Sequence, residues 1–104
     1  MTEQEILKRA VYKFGPKLQE VKAVEELAEL QQAICKALFE NEKGSLGAVA
    51  DSVEHIFEEM ADVEIMLDQI RIIYSDADRE IAAWRAKKVA RLASRLGLRN
   101  WRED

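Results

Sequence analysis

Pairs of acidic residues three positions apart occur in two segments of the sequence, Glu26 with Glu29 and Glu59 with Asp62. On a helix, residues at this spacing lie on one face, so each pair presents two carboxylates together. Four carboxylates that converge between two helices repel one another, and some must take up protons. Mg²⁺ or Mn²⁺ removes this conflict, because both ions prefer oxygen ligands and keep waters that a phosphate can replace. The pattern predicts a carboxylate-bound Mg²⁺ site suited to a polyphosphate substrate.

Glu59 interrupts the apolar face of its own segment. At roughly 100° per residue, its side chain projects between those of Ile56 and Val63, with His55 and Asp62 at the edge of the apolar stripe. A carboxylate at such a position is costly unless it is paired, hydrogen-bonded or bound to a metal. This anomaly favours a site over a solvated acidic face. The predicted stripe comprises Val49, Val53, Ile56, Met60, Val63, Met66, Leu67 and Ile70.

The earlier acidic pair carries no such signal by itself, because a glutamate-rich helix face is usually solvated. Glu26 and Glu29 share their face with Lys22 and Lys36, next to a separate apolar stripe. Only the combination of the two acidic pairs on neighbouring helices indicates a site. The predicted apolar stripe of this segment comprises Leu27, Leu30, Ile34 and Leu38.

The elements that position these residues are predicted to be four helices. Thr2 and Glu5 have the spacing of a capping box, and Gly15 followed by Pro16 separates the first helix from the second. The short loop Asn41 to Gly47 makes the two long helices antiparallel neighbours. The predicted helices run from Glu3 to Phe14, from Pro16 to about Glu40, from about Ala48 to Tyr74, and from an N-cap at Ser75 to Leu96.

Length and composition restrict the class of protein. A chain of 104 residues has room for one domain, here 1–104, with 97–104 as a loosely ordered tail. No stretch alternates polar and apolar residues as a strand does, so we predict an all-α, four-helix bundle-like fold with two long central antiparallel helices. The net charge of −4 argues against nucleic-acid binding. A lone cysteine and the lack of a long charge-free apolar run favour a cytoplasmic protein without membrane partners.

At these residues the sequence resembles the MazG-like nucleotide pyrophosphohydrolases, in particular single-domain members of this all-α NTP pyrophosphatase superfamily. The ExxE and ExxD motifs of the family read here EELAEL at Glu25 to Leu30 and EEMADVEIMLDQI at Glu58 to Ile70. The flanking segment FGPKLQEVKAVEELAELQQAICKAL is also similar, and the resemblance covers roughly Tyr12 to Ala93. The gap between the motifs is longer than is usual for the family, which the loop Asn41 to Gly47 is expected to absorb.

The resemblance implies hydrolysis of a nucleoside triphosphate between its α and β phosphates, which gives the monophosphate and pyrophosphate. Glu26, Glu29, Glu59 and Asp62 would hold Mg²⁺, with Mn²⁺ as a substitute. Glu25 would be a supporting ligand or the residue that orients the attacking water. The resemblance also implies a homodimer or a tetramer, with the nucleotide site near the interface.

Three further residues are candidates for substrate binding. Lys36, and with it Lys22, could contact a phosphate, or these lysines could simply offset the neighbouring glutamates. His55 could support a metal ligand or contact the nucleotide, although we expect a hydrogen-bonded interior histidine. Cys35 is expected to be a small core residue.

Two other classes of protein compete with this interpretation. A carboxylate-bridged di-iron bundle requires Glu-x-x-His pairs, and Ser52 stands three positions before the only histidine, His55. A non-catalytic helical oligomer, acting as an interaction or regulatory module, explains why the segment from Met60 to Ile73 is apolar over much of its circumference. That alternative leaves Glu59 on the core face without an explanation.

Overall fold

The computed structural model of the protein describes residues 1–43 and 46–98. Within these residues the regular structure is entirely α-helical, which confirms the predicted fold class. None of the helices in this part of the chain is long and apolar enough to cross a membrane. The helices are α1 (Glu3–Phe14), α2 (Pro16–Lys43), α3 (Leu46–Ile73) and α4 (Ala77–Arg95).

The predicted boundaries of α1 are confirmed, together with their local causes. The Thr2 hydroxyl accepts a hydrogen bond from the Glu5 backbone amide at 3.1 Å, and the Thr2 amide donates to the Glu5 carboxylate at 2.8 Å. This is a complete capping box. Gly15 ends the helix with φ of +88°, a conformation that favours glycine, and Pro16 begins α2.

The predicted loop from Asn41 to Gly47 is too long. Helix α2 continues to Lys43, and α3 already includes Leu46 and Gly47. The added residues Asn41, Glu42 and Lys43 contain no helix breaker, so the ladder of α2 hydrogen bonds continues through them. Gly44 and Ser45 lie outside the described residues.

Helices α2 and α3 pack as an antiparallel pair. Gln19 near the start of α2 contacts Gln69 near the end of α3, whereas Lys36 and His55 line one cavity farther along the pair. The residues at the contact recur at alternating spacings of three and four, as in the seam of packed helices. The seam comprises Gln19, Ala23, Glu26, Leu30, Ala33 and Ala37 of α2, with Ser52, Ile56, Glu59, Val63, Met66 and Ile70 of α3, all buried or half-buried.

The predicted apolar stripe of α2 is therefore wrong as a core face except at Leu30, which is half-buried in the seam. Leu27, Ile34 and Leu38 are exposed, Leu38 by 62%, while the alanines of the seam are buried. Small side chains allow the two helices to approach closely, and this close approach selects the alanine face over the leucine face. In α3 the prediction holds for Val63 and Met66 but not for Met60 and Leu67, which are exposed.

The two remaining sides of the α2–α3 pair differ in chemistry. In an antiparallel pair, residues that directly follow seam positions lie on one side, and residues that directly precede them lie on the other. The apolar side carries exposed Val24, Leu27, Ile34 and Leu38 of α2, with Phe57, Met60 and Leu67 of α3, and also the polar Gln31 and Glu64. The polar side carries Lys22, Glu25, Glu29, Gln32 and Lys36 of α2, with His55, Glu58 and Asp62 of α3, and also the exposed apolar Leu18 and Ile65.

The chain forms two compact units, Met1–Ile73 and a second that begins at Tyr74. In the second unit α4 begins after Asp76 and not after Ser75 as predicted, and the Asp76 side chain makes no capping hydrogen bond. At the other end, Gly97 has φ of +76°, and the Leu98 amide donates to the Ala93 carbonyl at 2.9 Å. This arrangement ends α4 as predicted. Of the tail 97–104, residues 99–104 lie outside the described residues, and the assignment of 1–104 to one domain stays a prediction.

Candidate metal centre between two helices

Two glutamates occupy facing positions in the seam between α2 and α3. Glu26 is 8% exposed and Glu59 is 7% exposed, and they are the only acidic residues buried in the described part of the chain. The alternating spacing of the seam places them there, because Glu26 follows Ala23 by three positions and Glu59 follows Ile56 by three. Two carboxylates thus occupy positions that apolar side chains fill in an ordinary helix pair.

Glu29 completes a cluster of three carboxylates with the seam pair. One oxygen of each of Glu26, Glu29 and Glu59 lies within 4.8 Å of the other two. Within the described residues, neither Glu26 Oε2 nor Glu59 Oε2 has a hydrogen-bond partner, although both atoms are buried. Buried polar atoms normally have partners, and an unpartnered carboxylate is especially costly. A set of oxygen donors with two unpartnered buried atoms fits a hard divalent cation.

The charges of the cluster act on one another. The negative charge of Glu26 raises the pKa of Glu29, and a hydrogen bond between the two carboxyl groups, available when one is protonated, adds to the effect. Some desolvation and the charge of Glu59 raise the pKa of Glu29 further, whereas Lys22 lowers it. Lys22 Nζ lies 3.4 Å from Glu26 Oε1 and is itself exposed. One lysine balances only part of the negative charge of three carboxylates, which leaves the cluster attractive to a cation.

A cavity of about 400 Å³ opens beside the cluster on the polar side of the helix pair. Basic and amide groups from both helices stand at its wall together with two of the three clustered carboxylates. Such a wall suits a ligand that carries negative charge and binds through a cation. The cavity is lined by Glu29, Gln32, Ala33, Lys36, His55 and Glu59.

The structure brings together three of the four predicted metal ligands. Asp62 is half-buried on the polar side and belongs to neither of the two ligand groups that occur in the described residues. Glu25 is exposed and also lies outside these groups, with its carboxylate 3.9 Å from Lys22 Nζ. Lys36 lines the cavity, and Lys22 forms an ion pair with Glu26. Substrate binding by either lysine stays a prediction.

Two predictions about single residues are wrong. His55 is not an interior histidine but is about half exposed, because it precedes the seam position Ile56 and lies on the polar side. Its Nε2 lies 3.9 Å from Glu59 Oε1. Cys35 is exposed and not part of the core, since Ala33 and Ala37 occupy the seam and the residue between them points away.

Sequence reasoning missed two residues of the site. Gln32 lines the cavity, and Glu58 forms a second group with His55 and Glu59 whose ligand atoms lie within 4.8 Å of one another. The seam spacing is the signal that finds both, because each directly precedes a seam position. An apolar-stripe analysis does not detect that spacing, since several seam residues are alanine or polar.

Comparison of the chain with protein-family models, with curated proteins and with solved structures found no match in any of the three. The resemblance to the MazG-like pyrophosphohydrolases therefore rests on the two motifs and their flanking residues, and it stays a prediction. The geometry by itself defines a cluster of three carboxylates beside a cavity with basic and amide side chains, and two of the buried carboxylate oxygens have no partner in the described part of the chain.

Proposed function

We propose that the protein is a Mg²⁺-dependent nucleoside triphosphate pyrophosphohydrolase that converts a nucleoside or deoxynucleoside triphosphate to the monophosphate and pyrophosphate. One observation carries the proposal. Glu26 and Glu59 face each other in a helix seam, each with a buried oxygen that has no hydrogen-bond partner among the described residues, and Glu29 stands within reach of both. A helix pair that needed only stability would not place two ionisable groups there.

The choice of reaction rests on the resemblance to the MazG-like family. The three clustered residues are ones to which the family motifs assign metal binding. Asp62, the fourth, lies on the polar side one turn beyond Glu58. The cavity supports the same choice, because about 400 Å³ is within the usual range for a small-molecule site.

The residues of the chain have separable roles in this reaction. Glu26, Glu29 and Glu59 would hold Mg²⁺, which when bound offsets phosphate charge and lowers the pKa of a coordinated water. Mn²⁺ would substitute, since it accepts the same oxygen ligands. Lys36 contacts a phosphate from the cavity wall, and Glu25 supports the ligand set or orients the water. The work of such a site is positioning and electrostatic stabilisation, so it requires no nucleophilic side chain.

The test is chromatography of the products from a panel of canonical and modified triphosphates incubated with Mg²⁺. Wild type should release monophosphate and pyrophosphate, and Glu59→Gln should release neither. The matched control is Glu54→Gln, which removes the same charge from an exposed position of α3 and should retain full turnover. No turnover of any triphosphate by wild type with Mg²⁺ or Mn²⁺ would contradict the proposal.

We further propose that a second copy of the chain covers the apolar side of the α2–α3 pair, giving the homodimer or tetramer expected for such an enzyme. Exposed Val24 and Leu38 of α2 lie on the same side as exposed Phe57 and Met60 of α3, so several large apolar side chains are exposed there. Exposed apolar surface that polar residues rim is typical of an interface. The proposed active site lies on the opposite, polar side, which departs from the position near the interface that the family resemblance implies. A cytoplasmic location, where nucleotides are available, belongs to the same proposal.

Light scattering after gel filtration tests the interface. Wild type should have the mass of two or four chains. Phe57→Glu, at a side chain that is 63% exposed, should shift the protein towards a single chain. Ala61→Glu places the same charge on an exposed position away from both sides and should leave the mass unchanged. A wild-type mass of one chain would contradict the proposed assembly, and an oligomer without turnover would favour the alternative of a non-catalytic helical module.

A further inference from the structure

A second group of possible metal ligands adjoins the carboxylate cluster. One ligand atom each of His55, Glu58 and Glu59 lies within 4.8 Å of the other two. The three residues belong to one turn of α3, where His55 and Glu59 are four positions apart and therefore neighbours on the helix surface. His55 and Glu58 are exposed, so an ion can reach them from solvent, whereas Glu59 is buried.

Glu59 belongs to both groups, and its two oxygens have different surroundings. Oε1 lies 3.9 Å from His55 Nε2. Oε2 is buried and has no hydrogen-bond partner within the described residues. Glu59 as a whole is more than nine-tenths buried. Glu59 therefore has one oxygen near the imidazole and one buried oxygen without a partner in the described structure. A carboxylate can give each of its oxygens to a different ligand.

The two groups also differ in donor chemistry. The group of Glu26, Glu29 and Glu59 offers only oxygen, which suits a hard cation such as Mg²⁺. The group with His55 adds an imidazole nitrogen, which suits first-row transition ions and is bound poorly by Mg²⁺. Two ions of different preference can therefore occupy adjacent sites without competing for every ligand.

We propose that His55, Glu58 and Glu59 form a second cation site that takes a transition-metal ion of the zinc class, with Glu59 shared between this site and the Mg²⁺ site. The inference rests on the proposed function only for the assignment of Glu59 to the first site. The second ion lies on the wall of the cavity, where His55 and Glu59 are both lining residues. It adds positive charge on the side of α3, across the cavity from Lys36 of α2.

The only histidine of the chain is the reporter for this site. Protein labelled with ¹⁵N at histidine gives imidazole signals that belong to His55 alone. We expect Zn²⁺, titrated in the presence of saturating Mg²⁺, to shift these signals and to saturate at one ion per chain. Calorimetry on the same samples gives the affinity. Glu58→Gln should weaken Zn²⁺ binding about tenfold or more, because it removes one of three ligands.

Control variants separate a site from a lone surface histidine. Glu54→Gln removes a charge next to His55 but outside the ligand group, and it should leave the Zn²⁺ affinity unchanged within about threefold. If Glu58→Gln and Glu54→Gln bind Zn²⁺ equally well, or if Zn²⁺ does not shift the imidazole signals of wild type, the second site is overturned. Circular dichroism of each variant verifies folding, which both exposed substitutions should preserve.

The failure of this inference is distinguishable from the failure of the proposed function. Glu26→Gln should abolish turnover with Mg²⁺ while His55 still responds to Zn²⁺, because Glu26 belongs only to the first group. Glu59→Gln should weaken binding of both ions. A wild-type protein that binds Zn²⁺ at His55 but turns over no triphosphate would retain the second site and lose the proposed reaction. Loss of the Zn²⁺ response in Glu26→Gln would overturn the separation of the two sites.

Discussion

Two polar layers, each a pair of facing side chains, lie between α2 and α3, and they differ in how their hydrogen bonds are satisfied. In the first, the Gln19 side-chain amide donates to Gln69 Oε1 at 2.6 Å, and Gln69 is only 4% exposed. In the second, Glu26 faces Glu59, and each retains a buried oxygen without a hydrogen-bond partner in the described structure. Both layers lie in the same helix pair, so the surrounding architecture does not explain the difference.

The two layers differ in the donors and acceptors that their side chains supply. The glutamine pair carries both a donor and an acceptor, so it satisfies itself and favours the register in which the pair meets. Two ionised glutamates offer only acceptors, and no rotation of their side chains lets one satisfy the other. The carboxylates of the glutamate layer therefore stay unsatisfied until a cation or a proton binds between them. The difference between the two layers follows from their side chains and does not depend on any resemblance to a family.

The largest effect is expected from converting the glutamate layer into a second glutamine layer. Glu26→Gln combined with Glu59→Gln should lower turnover of the best triphosphate substrate by about 100-fold or more, since the metal loses two of three clustered ligands. The same variant should be at least as stable as the metal-free wild type, because the amides can pair as Gln19 and Gln69 do. Steady-state turnover and urea unfolding measure the two effects. A variant that is inactive but strongly destabilised would indicate that the layer is structural.

A smaller effect is expected from breaking the glutamine layer. Gln69→Met leaves the buried amide of Gln19 without its acceptor and should lower the free energy of unfolding by about 1 to 3 kcal/mol. Turnover should change by no more than about twofold under conditions where the protein is folded. The double variant with Gln19→Met should recover most of the lost stability, because both polar groups are then absent. Equal destabilisation in the single and double variants would show that the hydrogen bond contributes nothing.

The smallest effect is the pH dependence of the metal-free protein. The pKa of Glu29 is raised above its ordinary value of 4.5, chiefly by Glu26, so the folded protein binds this proton more tightly than the unfolded chain. The resulting stabilisation is fully present below pH 4.5 and is lost as the pH rises through the raised pKa. Relative to Glu29→Gln, metal-free wild type should therefore lose stability across that window. Solvent exposure of Glu29 keeps the effect small.

Saturating Mg²⁺ should reverse the sign of this dependence, because a metal ligand must be deprotonated. With Mg²⁺ present, wild type should gain stability relative to Glu29→Gln as the pH rises through the same window. Urea unfolding at several pH values, with and without Mg²⁺, measures both slopes. Slopes of the same sign in the two conditions would remove Glu29 from the ligand set.

Much of the fold follows from local signals in the sequence. The capping box at Thr2 and the glycine at Gly15 identify the ends of α1, and the helical periodicity identifies α2 and α3. The packing face of α2 does not follow from the same reasoning. Leucines mark the most apolar face, but close contact between helices is made by Ala23, Ala33 and their neighbours, where small size matters more than hydrophobicity.

The candidate site is predictable to a similar extent. The exposed position of Glu29 and the buried positions of Glu26 and Glu59 follow once the seam register is known. The motif spacing predicts that these three meet, but it also includes Asp62, which lies outside the cluster. The environment of His55 depends on which side of the seam it occupies, which the apolar stripe assigns incorrectly. For the same reason, Glu58 is not predicted. Without the seam register, a glutamate that directly precedes a seam position cannot be distinguished from other surface glutamates.

The most direct test of cation binding by the glutamate layer is the change in unfolding free energy when Mg²⁺ is added to wild type and to Glu59→Gln. If the glutamate layer is a cation site, Mg²⁺ at 100 times its dissociation constant should stabilise wild type by about 2.7 kcal/mol. The same concentration should leave Glu59→Gln almost unchanged, since the shared buried carboxylate is gone. Equal stabilisation of the two proteins, or none in either, would contradict the claim that this layer exists to bind a metal.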